Sequence, residues 1–230
     1  MPLIILWDID HTLIENAGVS KEIYAAAFAA LTGTLPICEA ATEGRTDRLI
    51  MRDMFRHHHC PEPPWPTIET ALGQAGEGHA GDLRHRGTVL PGIREALTVA
   101  SEEPDWVSTV LTGNIAANAR LKLSVFHLDR LLDLPVGAYG ADAEQRSDLV
   151  AVARCRVHRA RGLAHDVPVV LIGDTPRDVE AALTTGSAII AVSTGIYSPA
   201  KLAAAHASMV LPDLSDTGGL LAVLMSIAAG

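Results

Sequence analysis

Four carboxylates in this chain stand in patterns that can do chemistry together. Asp8 and Asp10 are two apart in Asp8-Ile9-Asp10-His11-Thr12, and Asp174 and Asp178 are four apart in Gly173-Asp174-Thr175-Pro176-Arg177-Asp178. A carboxylate can attack phosphorus directly and become an aspartyl-phosphate. A second carboxyl beside it can protonate the leaving oxygen and later deprotonate water. Asp8 suits the first part and Asp10 the second. Hard cations such as Mg2+ prefer carboxylate oxygens and retained water. Asp8 and Asp174 can hold such an ion between them, with Asp178 binding one of its waters or orienting the ligands. The ion would offset the repulsion between Asp8 and an incoming phosphate. A further group is Leu111-Thr112-Gly113-Asn114. The Thr112 hydroxyl and the backbone amides after it can grip a phosphoryl oxygen. Gly113 allows close backbone approach, and a helix starting at about Ile115 would add its positive end.

The elements that must position these groups show as apolar runs. Leu3 to Trp7 is continuously apolar and stops at Asp8, as a strand buried on both faces does. Val107 to Leu111, Val169 to Ile172 and Ala188 to Val192 look the same, and Met209 to Leu211 is a weaker candidate. Helical patterns separate them. Ile93, Ala96, Leu97 and Ala100 share one face; so do Leu149, Val152, Ala153 and Val157, and Val179, Ala182, Leu183 and Gly186. Alternating strands and helices predict an α/β domain with a parallel sheet. Such sheets bind ligands at the carboxyl ends of their strands, where Asp8, Thr112 and Asp174 all fall. Any one of these motifs alone is an ordinary turn or helix cap. Three of them, each behind an apolar run, are not.

Residues 15–88 read differently. They hold an amphipathic helix at Ile23 to Leu31, a Pro-rich break at Cys60 to Pro66 and a Gly- and His-rich stretch at Gly73 to Gly87. That stretch fits either an ordered lid or a loop. The expectation is a core of residues 1–14 and 89–230 and a helical cap of residues 15–88, with hinges near Glu15 to Gly18 and Thr88 to Gly92.

In order and spacing, these motifs resemble those of the haloacid dehalogenase superfamily. DIDHT matches its DxDxT motif, LTGN its second motif, and GDTPRD its GDxxxD motif. The resemblance spans nearly the whole chain and implies a Rossmann-like sheet flanked by helices, a Mg2+ ion and an aspartyl intermediate. It makes Asp8 nucleophile and metal ligand, Asp10 general acid and base with its backbone carbonyl on the metal, and Asp174 the third ligand. A helical cap after the first motif resembles the phosphoglycolate phosphatase and β-phosphoglucomutase branch, in whose caps a loop like Gly44-Arg45-Thr46-Asp47 faces the site. Arg45 is then a substrate-binding candidate with Thr112, Gly113 and Asn114. Two positions depart from the pattern. His11 stands where Gly is common, and no Lys lies between Lys122 and Lys201 to supply the third motif's cation. Arg146 is the best replacement, since a guanidinium there can bridge Asp8 and phosphate. Arg154, Arg156, Arg159 and Arg161 are alternatives.

The reading is an enzyme, a phosphoric monoester hydrolase acting on a small phosphorylated metabolite. A phosphomutase is the main alternative. A dehalogenase would leave Asp10, Asp174 and Asp178 without work, a phosphonatase would need a cap Lys where Lys21 is the only one, and a binding protein would be expected to have lost an acid. The net charge of −9, without a long basic run, argues against nucleic acid, whose counterions a positive stripe must displace. The apolar stretch Leu220 to Ala229 is about half the ~20 residues that span a bilayer, so no membrane partner is expected. Cys38, Cys60 and Cys155 form neither a disulfide framework nor a zinc pattern. With no basic region or cleavage site in MPLIILWDID, a cytoplasmic location is expected. His57-His58-His59 reads as an exposed helix end, because adjacent helical residues do not share a face. Asp47 and Asp53 read as solvated.

Overall fold

The sequence alternates short apolar strands with helices, and the computed structural model, which describes residues 1–230, wraps them into layers. The strands are β1 (Leu3–Trp7), β2 (Ile14–Glu15), β3 (Thr88–Val89), β4 (Trp106–Val110), β5 (Val169–Gly173), β6 (Ala188–Val192) and β7 (Met209–Leu211). The helices are α1 (Val19–Thr32), α2 (Asp47–His57), α3 (Trp65–Gly78), α4 (Ala80–Arg86), α5 (Ile93–Glu102), α6 (Ala116–Val125), α7 (Arg146–Arg161), α8 (Pro176–Thr184), α9 (Pro199–Ala204) and α10 (Thr217–Ala229).

Five strands form one parallel sheet in the order β4-β1-β5-β6-β7. Strand β1 lies inside the sheet, between β4 and β5, and is buried on both faces, so its residues alternate between two cores. Leu3, Ile5 and Trp7 join the side chains of α5, α6 and α10, while Ile4 and Leu6 join those of α7 and α8. Trp7 pairs with Val110 on one side and Ile172 on the other. The three strands therefore end level, and the residues just beyond their carboxyl ends share one rim.

Between β2 and β3 the chain makes α1 to α4, which pack around a third apolar cluster that includes Ile23, Phe28, Met51, Phe55, Ile68 and Leu72. Strands β2 and β3 pair antiparallel at the two crossings, Ile14 with Val89 and Glu15 with Thr88. That ribbon was not legible in the sequence, being two residues long on each side.

Two other details refine the expectation. Gly73 to Gly87 is mostly helical, in α3 and α4, because Ile68, Ala71, Leu72 and Leu83 supply buried anchors that outweigh its glycines. Gly76 is needed there, since a Cβ would meet Asn118 Oδ1. The buried face of α8 is Val179, Ala181 and Ala182; Leu183 is half exposed and Gly186 lies past the helix end at φ 64°.

Candidate active site

Asp8 leaves β1 buried, at 7% exposure. Its Oδ1 accepts from the Ile9 N–H at 2.8 Å, and its Oδ2 lies 2.8 Å from Nη2 of Arg146. Arg146 is the first residue of α7, and its Nε donates to Asp178 Oδ1 at 2.6 Å. One planar guanidinium thus spans two carboxylates, a geometry its fixed fork suits. The alternatives lie elsewhere: Arg156 pairs with Asp142, Arg161 with Asp133, and Arg154 binds the carbonyls of His165 and Val167.

Asp174, at the end of β5, is 2% exposed and accepts from the Thr12 hydroxyl at 3.3 Å. Oxygens of Asp8, Asp174 and Asp178 lie within 4.8 Å of one another. Burial pushes the Asp8 carboxyl up, and Asp178 and Asp10 add to this while Arg146 opposes it. Burial, then Asp178 and Asp8, push Asp174 well above the usual carboxylate range. For Arg146, burial favours the neutral form, but Asp178 and Asp8 outweigh it and hold the charge. Three buried carboxylates against one guanidinium leave negative charge uncompensated, and their free donors are oxygens. That donor set fits a hard dication such as Mg2+. Asp178 offers least to it. Its Oδ1 is held by Arg146, and its Oδ2 accepts from the Thr175 N–H at 3.0 Å and hydroxyl at 2.6 Å, a capping box that starts α8.

Asp10 has a different environment. Nζ of Lys122 donates to both its oxygens, at 2.8 and 2.7 Å. Asn16 Nδ2 reaches Oδ1 at 2.7 Å and Asn114 Nδ2 reaches Oδ2 at 2.8 Å. Burial would raise its pKa, but Lys122 and then Asn114 outweigh burial and hold it at about 2. Asp10 is therefore held as a carboxylate.

The second motif is placed at the rim, where Thr112, Gly113 and Asn114 line the cavity, and part of its hydrogen bonding is internal. The Thr112 hydroxyl accepts from Asn114 Nδ2 at 2.8 Å, and Asn114 Oδ1 accepts from Lys122. Gly113 does allow a close approach, but of the loop before α2: a Cβ there would stand 1.9 Å from the Arg45 carbonyl oxygen. The N–H of Ile115, at the start of α6, is taken by Asp47 Oδ2 at 2.7 Å. Asp47 is not solvated. It is 1% exposed, its Oδ1 accepts from the Tyr24 hydroxyl at 2.6 Å, and its N–H donates to the Gly113 carbonyl at 2.8 Å. Burial pushes its carboxyl up to about 6 against the hydrogen bonds from Tyr24 and Ile115. Thr46 donates to the Glu144 carbonyl and Arg52 clasps the Glu144 carboxylate, so the same loop is bolted to the sheet rim.

Arg45 lines the cavity, with its guanidinium paired to Asp53, which is thus not free in solvent either. His11 also lines it, in a left-handed conformation at φ 59°, with Nδ1 2.8 Å from Glu15 Oε2. The cavity is small, about 60 Å³, and mostly polar, with Tyr24 and Ile196 as its hydrophobic walls. His58 binds the Met54 carbonyl and the Ile37 N–H at the end of α2, away from any metal cluster. Sequence reasoning missed Lys122, Asn16, Ser20, Tyr24 and Asp47. For Lys122 there was a signal: it sits beside Ala119 and Leu123 on the inward face of α6, where a lysine is out of place.

A family model described as HAD-hydrolase-like matches residues 149–217. Among curated proteins, one named "Probable phosphatase IndB" from Dickeya dadantii (strain 3937) is 26% identical over 144 residues. That match spans 62% of this chain and 60% of the relative's length. Among solved structures, a hydrolase from Pseudomonas syringae aligns with a TM-score of 0.68 and 22% identity, over 99% of this chain and 100% of that one. CbbY from Rhodobacter sphaeroides, in complex with phosphate, aligns with a TM-score of 0.68 and 19% identity over 95% and 97%. No helix of this chain is long and apolar enough to cross a membrane.

Proposed function

We propose that this haloacid dehalogenase-like hydrolase is a magnesium-dependent phosphomonoesterase that works through an aspartyl-phosphate on Asp8. The observation that carries the reading is the cluster of Asp8, Asp174 and Asp178 around the Arg146 guanidinium, with Asp10 held ionised next to it. Asp8 and Asp174 would hold the ion, with the backbone carbonyl of Asp10. A bound Mg2+ supplies charge neutralisation between the carboxylates and the phosphate.

The chain's own groups divide the rest. Asp8 Oδ2 attacks phosphorus, and the P–O bond to the leaving group breaks with its electron pair going to that oxygen. Arg146 steadies the attacking oxygen and offers a donor to the phosphoryl group. In the second half, water attacks the aspartyl-phosphate, Asp10 takes its proton and the Asp8 carboxylate is restored. Since Lys122 holds Asp10 as a carboxylate, an alkoxide leaving group must wait for a proton to reach Asp10 first. Phosphates whose leaving group departs without protonation should turn over fastest. The small polar cavity favours a small, hydrophilic ester.

The test is phosphate release from a panel of small phosphomonoesters and aryl phosphates, with and without Mg2+, on wild type and Asp8→Asn. Release that requires Mg2+ and is absent from the variant supports the reading. Transfer to a second hydroxyl instead of to water would turn it into a phosphomutase, and no turnover in any arm would sink it.

A further inference from the structure

Lys122 is sealed in the protein at 1% exposure. Its ammonium meets both oxygens of Asp10, the Ser20 hydroxyl at 2.7 Å and Asn114 Oδ1 at 2.7 Å. All three of its protons are spent, and none is left for a substrate. Stability alone does not account for this arrangement. Burying an ion pair is often no better than burying apolar groups of the same volume, and the inward face of α6 already carries Ala119 and Leu123.

What the ammonium does is join two parts of the molecule at one carboxyl. Asp10 and Asn114 stand on the rim of the main sheet, whereas Ser20 belongs to α1, among the four helices between β2 and β3. Ser20 also touches Asp10 Oδ1, at 3.2 Å, as does Asn16 from the connection into α1. Asp10 is thus gripped from both sides, and Lys122 is the group that touches all of Asp10, Asn114 and Ser20.

We infer that Lys122 is a positioning residue that fixes the side chain of Asp10 and makes that placement depend on the docking of α1. This rests on the function proposed above. In the hydrolytic half, the water oxygen bonds to phosphorus, the bond from phosphorus to Asp8 breaks with its electrons returning to Asp8, and the water proton goes to Asp10. Lys122 touches neither the phosphorus nor the attacking water and acts only through the Asp10 oxygens it holds. It determines where the Asp10 oxygens stand when the proton moves, so its loss acts on kcat and leaves KM nearly unchanged.

The experiment compares kcat, KM and acid-quenched phosphoenzyme for wild type, Lys122→Met, Ser20→Ala, Asp10→Asn and the double variant Asp10→Asn/Lys122→Met, all with Mg2+. Lys122→Met should lower kcat by about 10²-fold, the span of a lost general base, with phosphoenzyme accumulating. In the double variant the loss should equal that of Asp10→Asn alone, because Lys122 acts through Asp10. Ser20→Ala should lower kcat by a smaller factor. A folded Lys122→Met with wild-type kcat, or losses that multiply in the double variant, would overturn the role. Should Lys122→Met not fold, Ser20→Ala with and without Asp10→Asn gives the same cycle from the α1 side. Wild type without turnover overturns the proposed function and this role with it; an active wild type with an indifferent Lys122→Met overturns this role alone.

Discussion

Asp8 and Asp10 are two residues apart and occupy opposite electrostatic worlds. On the Asp8 side, three buried carboxylates share one guanidinium, and burial and mutual repulsion push Asp8 and Asp174 up. On the Asp10 side, one carboxylate is met by an ammonium, two amides and a hydroxyl, and its pKa is held at about 2. One side lacks positive charge and the other lacks nothing. The difference teaches which half of the site has the donor set that fits a cation, and it separates the two proposed catalytic parts more sharply than the DxDxT spacing does.

The comparison can be broken in several ways. The largest effect is expected from Asp8→Asn, which removes the proposed nucleophile and should lower turnover by at least about 10⁴-fold while Asp10 keeps all its partners. Arg146→Met comes next. It strands Asp8 and Asp178 with no counter-charge, and removing one partner of a buried pair costs about 3–5 kcal/mol, to be read by denaturant unfolding. Added Mg2+ should recover part of that loss. In wild type, Mg2+ at a hundred times its Kd should raise stability by about 2.7 kcal/mol through mass action. Asp174→Asn should remove this increment and Lys122→Met should retain it; the reverse pattern in a thermal melt would show that the sides have been assigned the wrong way round.

Asp47 sharpens the contrast at the smallest scale. It accepts two hydrogen bonds but, unlike Asp10, has no cation in contact, and its pKa is pushed up to about 6 from an ordinary 3.8. A carboxyl raised on folding contributes stability that is full below its unfolded pKa and is lost as pH rises through the folded one. Wild type should therefore lose ground to Asp47→Asn as pH rises from the ordinary carboxylate range through about 6, by about 3 kcal/mol. Paired melting curves across that range check it; a constant gap between the two would mean that the Tyr24 and Ile115 hydrogen bonds fully offset burial.

How much of this was legible depends on the range of the forces involved. A strand buried on both faces must be apolar throughout, so Leu3 to Trp7, Val169 to Ile172 and Ala188 to Val192 announced themselves, as did the inward faces of α5 and α7. The acids could be located because they interrupt those runs. Arg146 could be placed at a helix start, but its two partners stand 138 and 32 residues away in sequence, and no local pattern encodes such a pairing.

By itself, then, the amino-acid sequence determined the parallel sheet, the strand ends that carry Asp8, Thr112 and Asp174, and the resemblance that gives those residues a chemistry. These depend on local periodicity and on short motifs. Only the tertiary structure decided that Lys122 faces Asp10, that Asp47 closes the start of α6 in place of a ligand, that Gly113 makes room for the Arg45 backbone, and that Gly73 to Gly87 is helical. Each of these is set by what a distant segment presents across a buried contact, where an unpartnered charge or an added Cβ would be costly and where the sequence on either side carries no trace of the partner.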